Sequence, residues 1–354
     1  MRVLHVIAGA KGGGAEQMML DAVTALAEAG VAQHVVTRGH NRARLDALAQ
    51  ARVPFTIAEF DKRAREPTRQ AIRAAADSFR PDVVHYWMGR AAFFAPKQHR
   101  EINLGWYGGY YDADRFKNCG WHIGATRDIA EHIVHEHIPA DHTGVLHGYF
   151  HMPPANAARR ASIDTPEDAQ VILAIARLDW ESGVDVLLKA IAEVKGVYAW
   201  IAGEGPMERE FRHLAQKLGL CDRVRFLGHR EDRSGLLAAC DVVAAPARHD
   251  PFGASTLAAW AARRPLVTTD AAGPSSFATD DMDALVTPSD DSEALAKALK
   301  RVLQDADLAA ALADNGARLY RAQFTKPSFV RASMALYDRV RLSSGHHERR
   351  APAA

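Results

Sequence analysis

The sequence predicts an α/β protein of two domains, each with a mostly parallel β-sheet covered by helices. Short apolar runs with the length of buried strands alternate with segments in which apolar residues recur at helical spacing. This alternation is typical of parallel sheets, whose strands are joined by helical crossovers. The chain of 354 residues also exceeds what one hydrophobic core usually fills, so we expect a domain boundary near its middle.

The first half begins with a strand, a glycine-rich loop and a helix. The apolar run at 3–8 predicts a buried strand, the glycines at 9–14 predict a tight loop, and 15–29 carry the helical pattern. The same reasoning predicts further strands at 34–37, 55–58, 83–86, 121–125 and 143–146, and helices at 42–51, 68–79 and 127–135.

The second half repeats the alternation after a linker. Residues 152–167 are rich in Pro, Ala, Ser and charge and lack apolar periodicity, as expected of a connection between domains. An amphipathic helix is predicted at 328–340, and 343–354 are expected to form a flexible tail. Between linker and tail, the pattern predicts strands at 171–176, 198–202, 224–227, 242–245 and 266–269, and helices at 185–194, 207–218, 235–239, 254–262 and 292–305.

Composition narrows the class of protein. Apolar residues make up 48% of the chain and charged residues 25%, which is ordinary for a soluble globular protein. The three cysteines are far apart without a CxxC pair, so neither a disulfide framework nor a zinc site is indicated. No apolar stretch reaches the roughly 18 residues of a membrane span. We therefore expect a cytoplasmic protein without a metal and without a nucleic-acid partner.

The charge is uneven although the net charge is only +1. Residues 38–100 contain 13 Lys and Arg against 6 Asp and Glu. This basic segment has two interpretations, a surface that meets phosphates and a set of solvated helix faces.

Two glycine-rich junctions between a strand and a helix are candidates for binding an anion or a nucleotide. In Lys11–Gly14 the glycines would let backbone N–H groups approach an anion at a helix N-terminus, and a plain tight turn is the alternative. In Gly203–Pro206 backbone contact with a nucleotide base competes with a simple turn, and Pro206 suits the first helical turn.

The segment 246–269 is the most informative. After a predicted strand, its loop offers Arg248, His249 and Asp250, and Gly253 leads into a helix whose first N–H groups would be free for a diphosphate. Asp250 would hold sugar hydroxyls in one interpretation and cap the helix in the other.

These motifs together resemble the retaining glycosyltransferases of family 4, also called group 1 glycosyltransferases, over residues 1–325. The segment 105–127 and His147-Gly148 are most similar to members that build lipopolysaccharide or related surface glycans. The resemblance rests on GGGAEQ (12–17), PDVVHYW (81–87), ARLDWESGVDVLLKA (176–190), IAGEGPMERE (201–210), VRFLGH (224–229) and the HDPFG segment at 249–253.

The resemblance implies a GT-B fold, in which two Rossmann-like domains with parallel sheets face an interdomain cleft. It implies an N-terminal acceptor-binding domain at 1–155, to which the helix 326–342 returns, and a C-terminal nucleotide-sugar-binding domain at 165–325. The implied activity is a metal-independent hexosyl transfer, with retention, from a nucleotide-sugar to a glycan or lipid-linked acceptor. Peripheral contact with an anionic membrane, at its inner face, would accompany such an acceptor.

Site residues follow from the same resemblance. Arg177 and Asp250 are the implied catalytic residues, with Arg177 on the diphosphate. Acceptor contacts are implied for Tyr107, Gly109, Tyr110 and Asp112. The implied donor-binding residues are Gly13, Gly14, Gly203, Glu204, Gly205, Pro206, Phe252, Gly253, Ala254, Ser255 and Thr256.

The chain departs from the family pattern at three places. Ser182 stands where a second phosphate-binding Lys is expected, Ala258 replaces the acid that usually holds the ribose, and 106–110 lack the familiar His. Two alternatives therefore remain open: a catalytically degenerate relative that binds a glycan or partner, and another GT-B enzyme such as an epimerase.

Overall fold

The chain forms two compact units. The structure is a computed structural model and describes residues 1–9, 14–63, 65–98, 100–250 and 253–343. Unit 1 comprises Met1–Tyr149 and the chain from Lys326 onward, and unit 2 comprises Phe150–Thr325. Across the described residues, none of the helices combines the length and the apolar character that crossing a bilayer requires.

Unit 1 is built on a parallel sheet of seven strands in the order β3-β2-β1-β4-β5-β6-β7. The strand order reverses between β1 and β4, as in doubly wound folds. Its strands are β1 (Arg2–Ile7), β2 (Ala32–Thr37), β3 (Phe55–Ile57), β4 (Val83–Trp87), β5 (Asn103–Tyr107), β6 (Trp121–Gly124) and β7 (Thr143–Val145). Its helices are α1 (Gly14–Glu28), α2 (Arg42–Gln50), α3 (Arg65–Phe79), α4 (Met88–Ala92), α5 (Arg127–His135) and, from the end of the chain, α12 (Lys326–Ser343).

The last helix, α12, packs on unit 1 through a buried polar contact. Tyr337 is buried, and its hydroxyl lies 2.9 Å from Nδ1 of His85 on β4. At the start of α12, Nζ of Lys326 lies 2.9 Å from the Glu28 carboxylate on α1. Both contacts join residues more than 250 positions apart in sequence, so they specify where the end of the chain returns.

Unit 2 is built on a second parallel sheet, of six strands in the order β10-β9-β8-β11-β12-β13. The reversal lies between β8 and β11, which pair directly. The strands are β8 (Gln170–Ile175), β9 (Val197–Ala202), β10 (Val224–Gly228), β11 (Val242–Ala245), β12 (Leu266–Thr269) and β13 (Leu285–Thr287). The helices are α6 (Val184–Glu193), α7 (Glu208–Lys217), α8 (Arg233–Ala239), α9 (Ala254–Ala261), α10 (Ser292–Gln304) and α11 (Ala306–Gln323).

The predicted fold class, an α/β protein with two Rossmann-like parallel sheets, is confirmed. Four elements have no predicted counterpart, namely α4, β5, β13 and α11. Pro206 does not lie in the first helical turn, because α7 begins at Glu208 with Met207 as its N-cap. The packing division falls at 149/150, inside the predicted N-terminal domain, and the assignment of each unit to donor or acceptor stays a prediction.

Candidate functional site

A cavity of about 990 Å³ opens in unit 2 where the strand order reverses. Its walls come from the carboxyl ends of β8 and β9, the segment between β10 and α8, the first turn of α9, and residues 150–153. In doubly wound sheets, ligands bind outside the carboxyl ends of the strands at this reversal. The volume lies at the upper end of the range for small-molecule sites, so it has room for a nucleotide with an attached sugar.

Two glycines permit the close approach of the loops that follow β8 and β9. Gly203 has φ +148, and a Cβ there would lie 1.8 Å from the carbonyl oxygen of Ala176. A Cβ on Gly205 would lie 2.3 Å from the carbonyl oxygen of Leu178. The loops are joined by hydrogen bonds from Leu178 N to the Glu204 carbonyl and from Met207 N to the Leu178 carbonyl. These glycines therefore have a packing role in addition to lining the cavity, and Pro206 does not line it.

Arg177 lies in the cavity wall directly after β8. Its side chain is 76% exposed, and its Nε is 3.3 Å from Oδ2 of Asp179. An exposed ion pair of this kind contributes little to stability, so the guanidinium can turn to an anionic ligand at small cost. The cavity wall thus carries an exposed cation at the position where the family resemblance implies a contact with the diphosphate.

The first turn of α9 faces the same cavity. Ala254 and Ser255 line it, and among the described residues no side-chain hydrogen bond from the N-cap residue, Gly253, satisfies the N–H groups of this first turn. Uncapped N–H groups and the helix dipole together favour an anion at this place. The Ser255 hydroxyl donates to the carbonyl of Ile175 at 2.7 Å and so ties α9 to the end of β8.

Of the other predicted residues around α9, Asp250 and Gly253 have structural contacts, whereas the Thr256 hydroxyl has none in the described part of the chain. Oδ1 of Asp250 accepts a hydrogen bond at 2.9 Å from N of Gly253, the residue that precedes the first turn of α9. Gly253 has φ +57, and a Cβ there would lie 2.2 Å from the Phe277 ring. Thr256 is buried, does not line the cavity, and its hydroxyl has no hydrogen-bond partner within the described part of the chain.

The two positions that depart from the family pattern behave differently. Ala258 is buried and lines the cavity, so a longer side chain there would project into the ligand space. Ser182 is also buried, but it does not line the cavity. Its hydroxyl donates to the carbonyl of Asp179 at 2.6 Å, and its N–H donates to Oδ1 of Asp179 at 3.1 Å. Ser182 therefore stabilises the loop after β8 and supplies no charge to the site.

Arg248 anchors the loop between β11 and α9. Its guanidinium bonds both carboxylate oxygens of Asp185 at 2.8 and 2.9 Å, bonds Asp290 at 2.6 Å, and stacks 3.5 Å from the centroid of Trp180. Burial alone would raise the pKa of Asp185, but the hydrogen bonds and charge of Arg248 outweigh it and lower the pKa. The hydrogen bonds that Arg248 donates to Asp185 in turn raise the pKa of Arg248. This pair fixes the loop that carries Asp250.

The predicted acceptor residues do not all lie in accessible positions. Tyr107 is fully buried, stacks on Phe116 with ring centroids 3.6 Å apart, and bonds Nδ1 of His122 at 2.8 Å. Burial, together with the negative charges nearby, raises its pKa well above the usual range. The ring is part of the core of unit 1, and the contact of Tyr107 with an acceptor stays a prediction.

The other residues predicted to contact an acceptor follow the carboxyl end of β5 and are at least partly exposed. Tyr110 is 46% exposed, and its hydroxyl bonds Asp128. Asp112 is exposed and accepts from Asp114 N at 2.8 Å, which caps the short 3-10 helix 113–116. Gly109 is partly exposed beside the Tyr111 ring. Gly14 is the first residue of α1, whereas Gly13 and Phe252 lie outside the described residues.

Sequence reasoning missed one wall of the cavity. Arg230, Arg233 and His229, which follow β10, line it together with Glu231. Arg230 is held by Asp232 through Nε to Oδ1 at 2.7 Å, and this hydrogen bond raises the pKa of Arg230. The VRFLGH motif ends at the start of this wall. Since the carboxyl ends of parallel strands share one edge, the motif was a signal for it.

Comparisons with known proteins agree with this geometry. Residues 156–319 match the family described as glycosyl transferases group 1, and residues 12–148 match glycosyltransferase family 4. The chain is 31% identical, over 95% of its length and 98% of the relative's, to the lipopolysaccharide core biosynthesis glycosyltransferase LpsE of Rhizobium meliloti. The chain belongs to the group 1 glycosyltransferases.

Further relatives and structures place this glycosyltransferase among GT-B proteins. It is 29% identical to LpsD of Rhizobium meliloti, also named a lipopolysaccharide core biosynthesis glycosyltransferase, over 96% of this chain and 98% of that one. A crystal structure of Anabaena HepE in complex with UDP superposes with a TM-score of 0.81 at 19% identity and covers 96% of this chain and all of that one. A glycosyltransferase from Rickettsia africae superposes equally well at 16% identity, covering 96% and 98%.

Proposed function

We propose that this glycosyltransferase transfers a sugar from a nucleotide-sugar, bound in the unit 2 cavity, to a lipopolysaccharide-core acceptor. The observation that carries the proposal is a cavity of nucleotide-sugar size at the strand-order reversal, with Arg177 and the uncapped first turn of α9 in its wall. These groups offer a cation and backbone N–H donors to one diphosphate. The solved complexes of HepE with UDP and with UDP-glucose support a donor of the same class.

The acceptor side of the proposal rests on unit 1 and on the relatives. Both Rhizobium relatives are named for lipopolysaccharide core biosynthesis. In unit 1, a cavity of about 700 Å³ follows the carboxyl ends of β2 and β3, and its basic lining residues are Arg38, His40, Lys62, Arg63 and Arg90. A basic lining suits a phosphorylated acceptor, and we place its membrane-borne form at the cytoplasmic face of the inner membrane.

The proposed chemistry is a retaining transfer that proceeds without a metal. Arg177 and the α9 amides would stabilise the charge that develops on the leaving diphosphate, and Asp250 would position the donor sugar. Anomeric configuration of the product, measured by NMR, tests retention. Unchanged turnover in EDTA tests metal independence, and restoration by a divalent cation would contradict it.

A donor screen by thermal shift tests the proposal directly. Sugars linked to UDP, GDP, ADP and dTDP are compared with the free nucleoside diphosphates. A ligand present at 100 times its dissociation constant stabilises the folded protein by about 2.7 kcal/mol, which is a measurable shift. The stabilising donor is then incubated with truncated lipopolysaccharide cores, and the product is identified by mass spectrometry. If no nucleotide-sugar stabilises the protein, the donor assignment is wrong.

A catalytically degenerate glycan-binding relative is the second candidate. Ser182 contributes no charge to the cavity, and Ala258 leaves its wall without the usual acid. Donor binding without transfer or hydrolysis, across a panel of acceptors, would favour this candidate. Epimerisation, the other GT-B activity considered, would instead convert a donor with no acceptor present.

A further inference from the structure

A second cavity, in unit 1, is lined mainly by cations. It has a volume of about 340 Å³ and lies between α3, the chain that follows α4, and the 3-10 helix 113–116. Glu66 and Asp114 are the acids in its described wall. Six basic side chains line it, and we call this cavity the cationic pocket: Arg65, Arg69, Arg73, Lys97, Arg115 and Lys117.

Three of these cations lie on one face of α3, and their mutual repulsion destabilises this helix. Arg65, Arg69 and Arg73 are spaced by four residues, so they share one face of α3. Like charges at this spacing destabilise a helix. Arg65 is also the first residue of α3, where the helix dipole already favours an anion over a cation. The arrangement costs stability unless a negative group is supplied.

The protein itself supplies little of that negative charge. Glu66 is engaged by Arg73, and Arg65 lies over the Phe93 ring at 4.3 Å. No ion pair joins Arg69, Lys97, Arg115 or Lys117 to a carboxylate in the described ranges of the chain. Nε of Arg69 is buried and has no hydrogen-bond partner there. A buried, unpaired guanidinium N–H is unfavourable, so this group is a vacant donor.

We propose that the cationic pocket binds a phosphoryl group that carries about two negative charges. The planar fork of an arginine matches the oxygens of such a group, and a phosphate monoester carries roughly this charge at neutral pH. The pocket takes the phosphoryl group and part of what it is attached to, because its volume is about a third of the donor cavity's. Its lining lies wholly in unit 1, so the site stands independently of the proposed donor site.

Hydrogen–deuterium exchange with inorganic pyrophosphate tests the site, because it locates binding on the chain. Pyrophosphate should protect peptides covering 65–79 and 113–118. In the variant Arg69→Gln/Arg115→Gln/Lys117→Gln, the midpoint of that protection should move to at least tenfold higher pyrophosphate. The control Arg42→Gln/Arg52→Gln/Arg331→Gln removes the same charge from exposed positions of unit 1 and should stay within twofold.

In the same experiment, protection of peptides covering 175–180 and 253–261 measures ligand binding in the unit 2 cavity. A wrong assignment of the cationic pocket is therefore distinguished from a wrong assignment of the donor site. Arg69→Lys is a second variant, which keeps the charge but removes Nε–H donation. It should bind pyrophosphate several-fold more weakly than the wild type and remains informative if the triple variant does not fold. Absence of protection at 65–79 and 113–118, or equal loss in the triple variant and the control, would overturn the proposal.

Vesicles distinguish a lipid headgroup from a free phosphorylated molecule. Co-sedimentation is measured with phosphatidylglycerol and with phosphatidylcholine vesicles across a salt series. Binding to phosphatidylglycerol that pyrophosphate displaces, and that only the pocket variant loses, identifies a headgroup. Pyrophosphate protection without pocket-dependent sedimentation identifies a free phosphoryl ligand. Sedimentation that both triple variants lose equally, with no pyrophosphate protection, would reduce the pocket to a screened basic surface.

Discussion

Arg177 is the residue on which donor affinity should depend most. It lines the cavity, and Ser182 provides no second cation at the usual place. Arg177→Ala should therefore raise the dissociation constant of the donor by about tenfold or more, since a charge-assisted hydrogen bond contributes about 1.5–3 kcal/mol. Calorimetric titration measures the change. Arg209→Ala, at an exposed position of α7 outside the cavity, is the control. Equal donor affinity in wild type and Arg177→Ala would contradict the site.

Substitution of Ala258 tests whether the absence of the ribose-binding acid changes which donor the protein binds. Because Ala258 is buried in the cavity wall, Ala258→Glu places a carboxylate in the ligand space. We expect tighter binding of a common uridine or guanosine donor by about 1–3 kcal/mol, through hydrogen bonds to its ribose, or exclusion of an unusual donor by steric conflict. Ala258→Gln has the same size without charge and separates the two effects. If donor affinity is unchanged in both variants, the nucleotide lies elsewhere.

Residue types in the motifs predicted several of the loops that line the cavity, but neither the wall that follows β10 nor what each side chain does there. Tyr107 is the last residue of β5 and Tyr110 follows it three residues later, and only the structure shows that the first is core and the second is at the surface. Ser182 was predicted to leave a phosphate charge missing, and its actual contact is with its own loop. Sequence spacing does not encode whether a polar atom already has a partner, which decides what it can bind.

At the scale of elements, the strands and helices with strong patterns were predictable, and those shaped by packing were not. Helix α11 contains Gly316, which lowers helix propensity. A Cβ there would lie 2.1 Å from Cδ1 of Trp260, so α9 and α11 require the glycine for their close packing. Strand β13 has three residues, too few to show a period. The basic segment 38–100 contains four of the six cations of the cationic pocket, but no sequence pattern showed that Arg115 and Lys117 join them.

The loop between β11 and α9 depends on the ion pair of Arg248 with Asp185. Their side chains are 10% and 17% exposed, so removing one leaves the other largely buried without its bidentate partner. Arg248→Gln should lower the free energy of unfolding by about 3 kcal/mol. The folded state lowers the pKa of Asp185 from its usual 3.8, so this contribution is present above that value and is lost as pH falls through the folded-state pKa.

Urea unfolding of wild type, Arg248→Gln, Asp185→Asn and the double variant measures this coupling. The difference between wild type and Arg248→Gln should be full at neutral pH and should shrink below about pH 4. A double variant as destabilised as the sum of both single variants would show that the two groups do not interact.

At the scale of the whole molecule, the two units differ in whether their histidines are buried. His5 and His85 are fully buried on β1 and β4, and Trp87 Nε1 donates to Nδ1 of His5 at 3.2 Å. In unit 2 all four histidines, His151, His213, His229 and His249, are exposed. Chain length and residue pattern predicted two units. The hydrogen bonds of these buried histidines, however, join β1, β4 and the returning α12, and no local sequence pattern shows contacts between such distant segments.

Acid should therefore destabilise unit 1 before unit 2. Burial lowers the pKa of His5 to about 4, against the opposing effect of the hydrogen bond that His5 donates to Gln33, and burial, together with the neighbouring His5, lowers the pKa of His85 well below its usual value. The unfolded chain binds protons at these sites below pH 6.5 while the folded chain stays neutral, so stability falls as pH drops from about 6.5 to about 4. The full effect is on the order of 3 kcal/mol for His5 alone.

Hydrogen exchange, corrected for the intrinsic pH dependence of amides, locates this loss. Between pH 7 and pH 5, peptides spanning β1 and β4 should lose protection while those spanning β8 and β9 keep it, because only the former pack against histidines that resist protonation. His5→Gln removes one titrating group and should reduce the pH dependence of β1 and β4, whereas His213→Gln, at an exposed position of α7, should not. Equal loss of protection in both units would mean that these buried histidines do not set the acid stability of the protein.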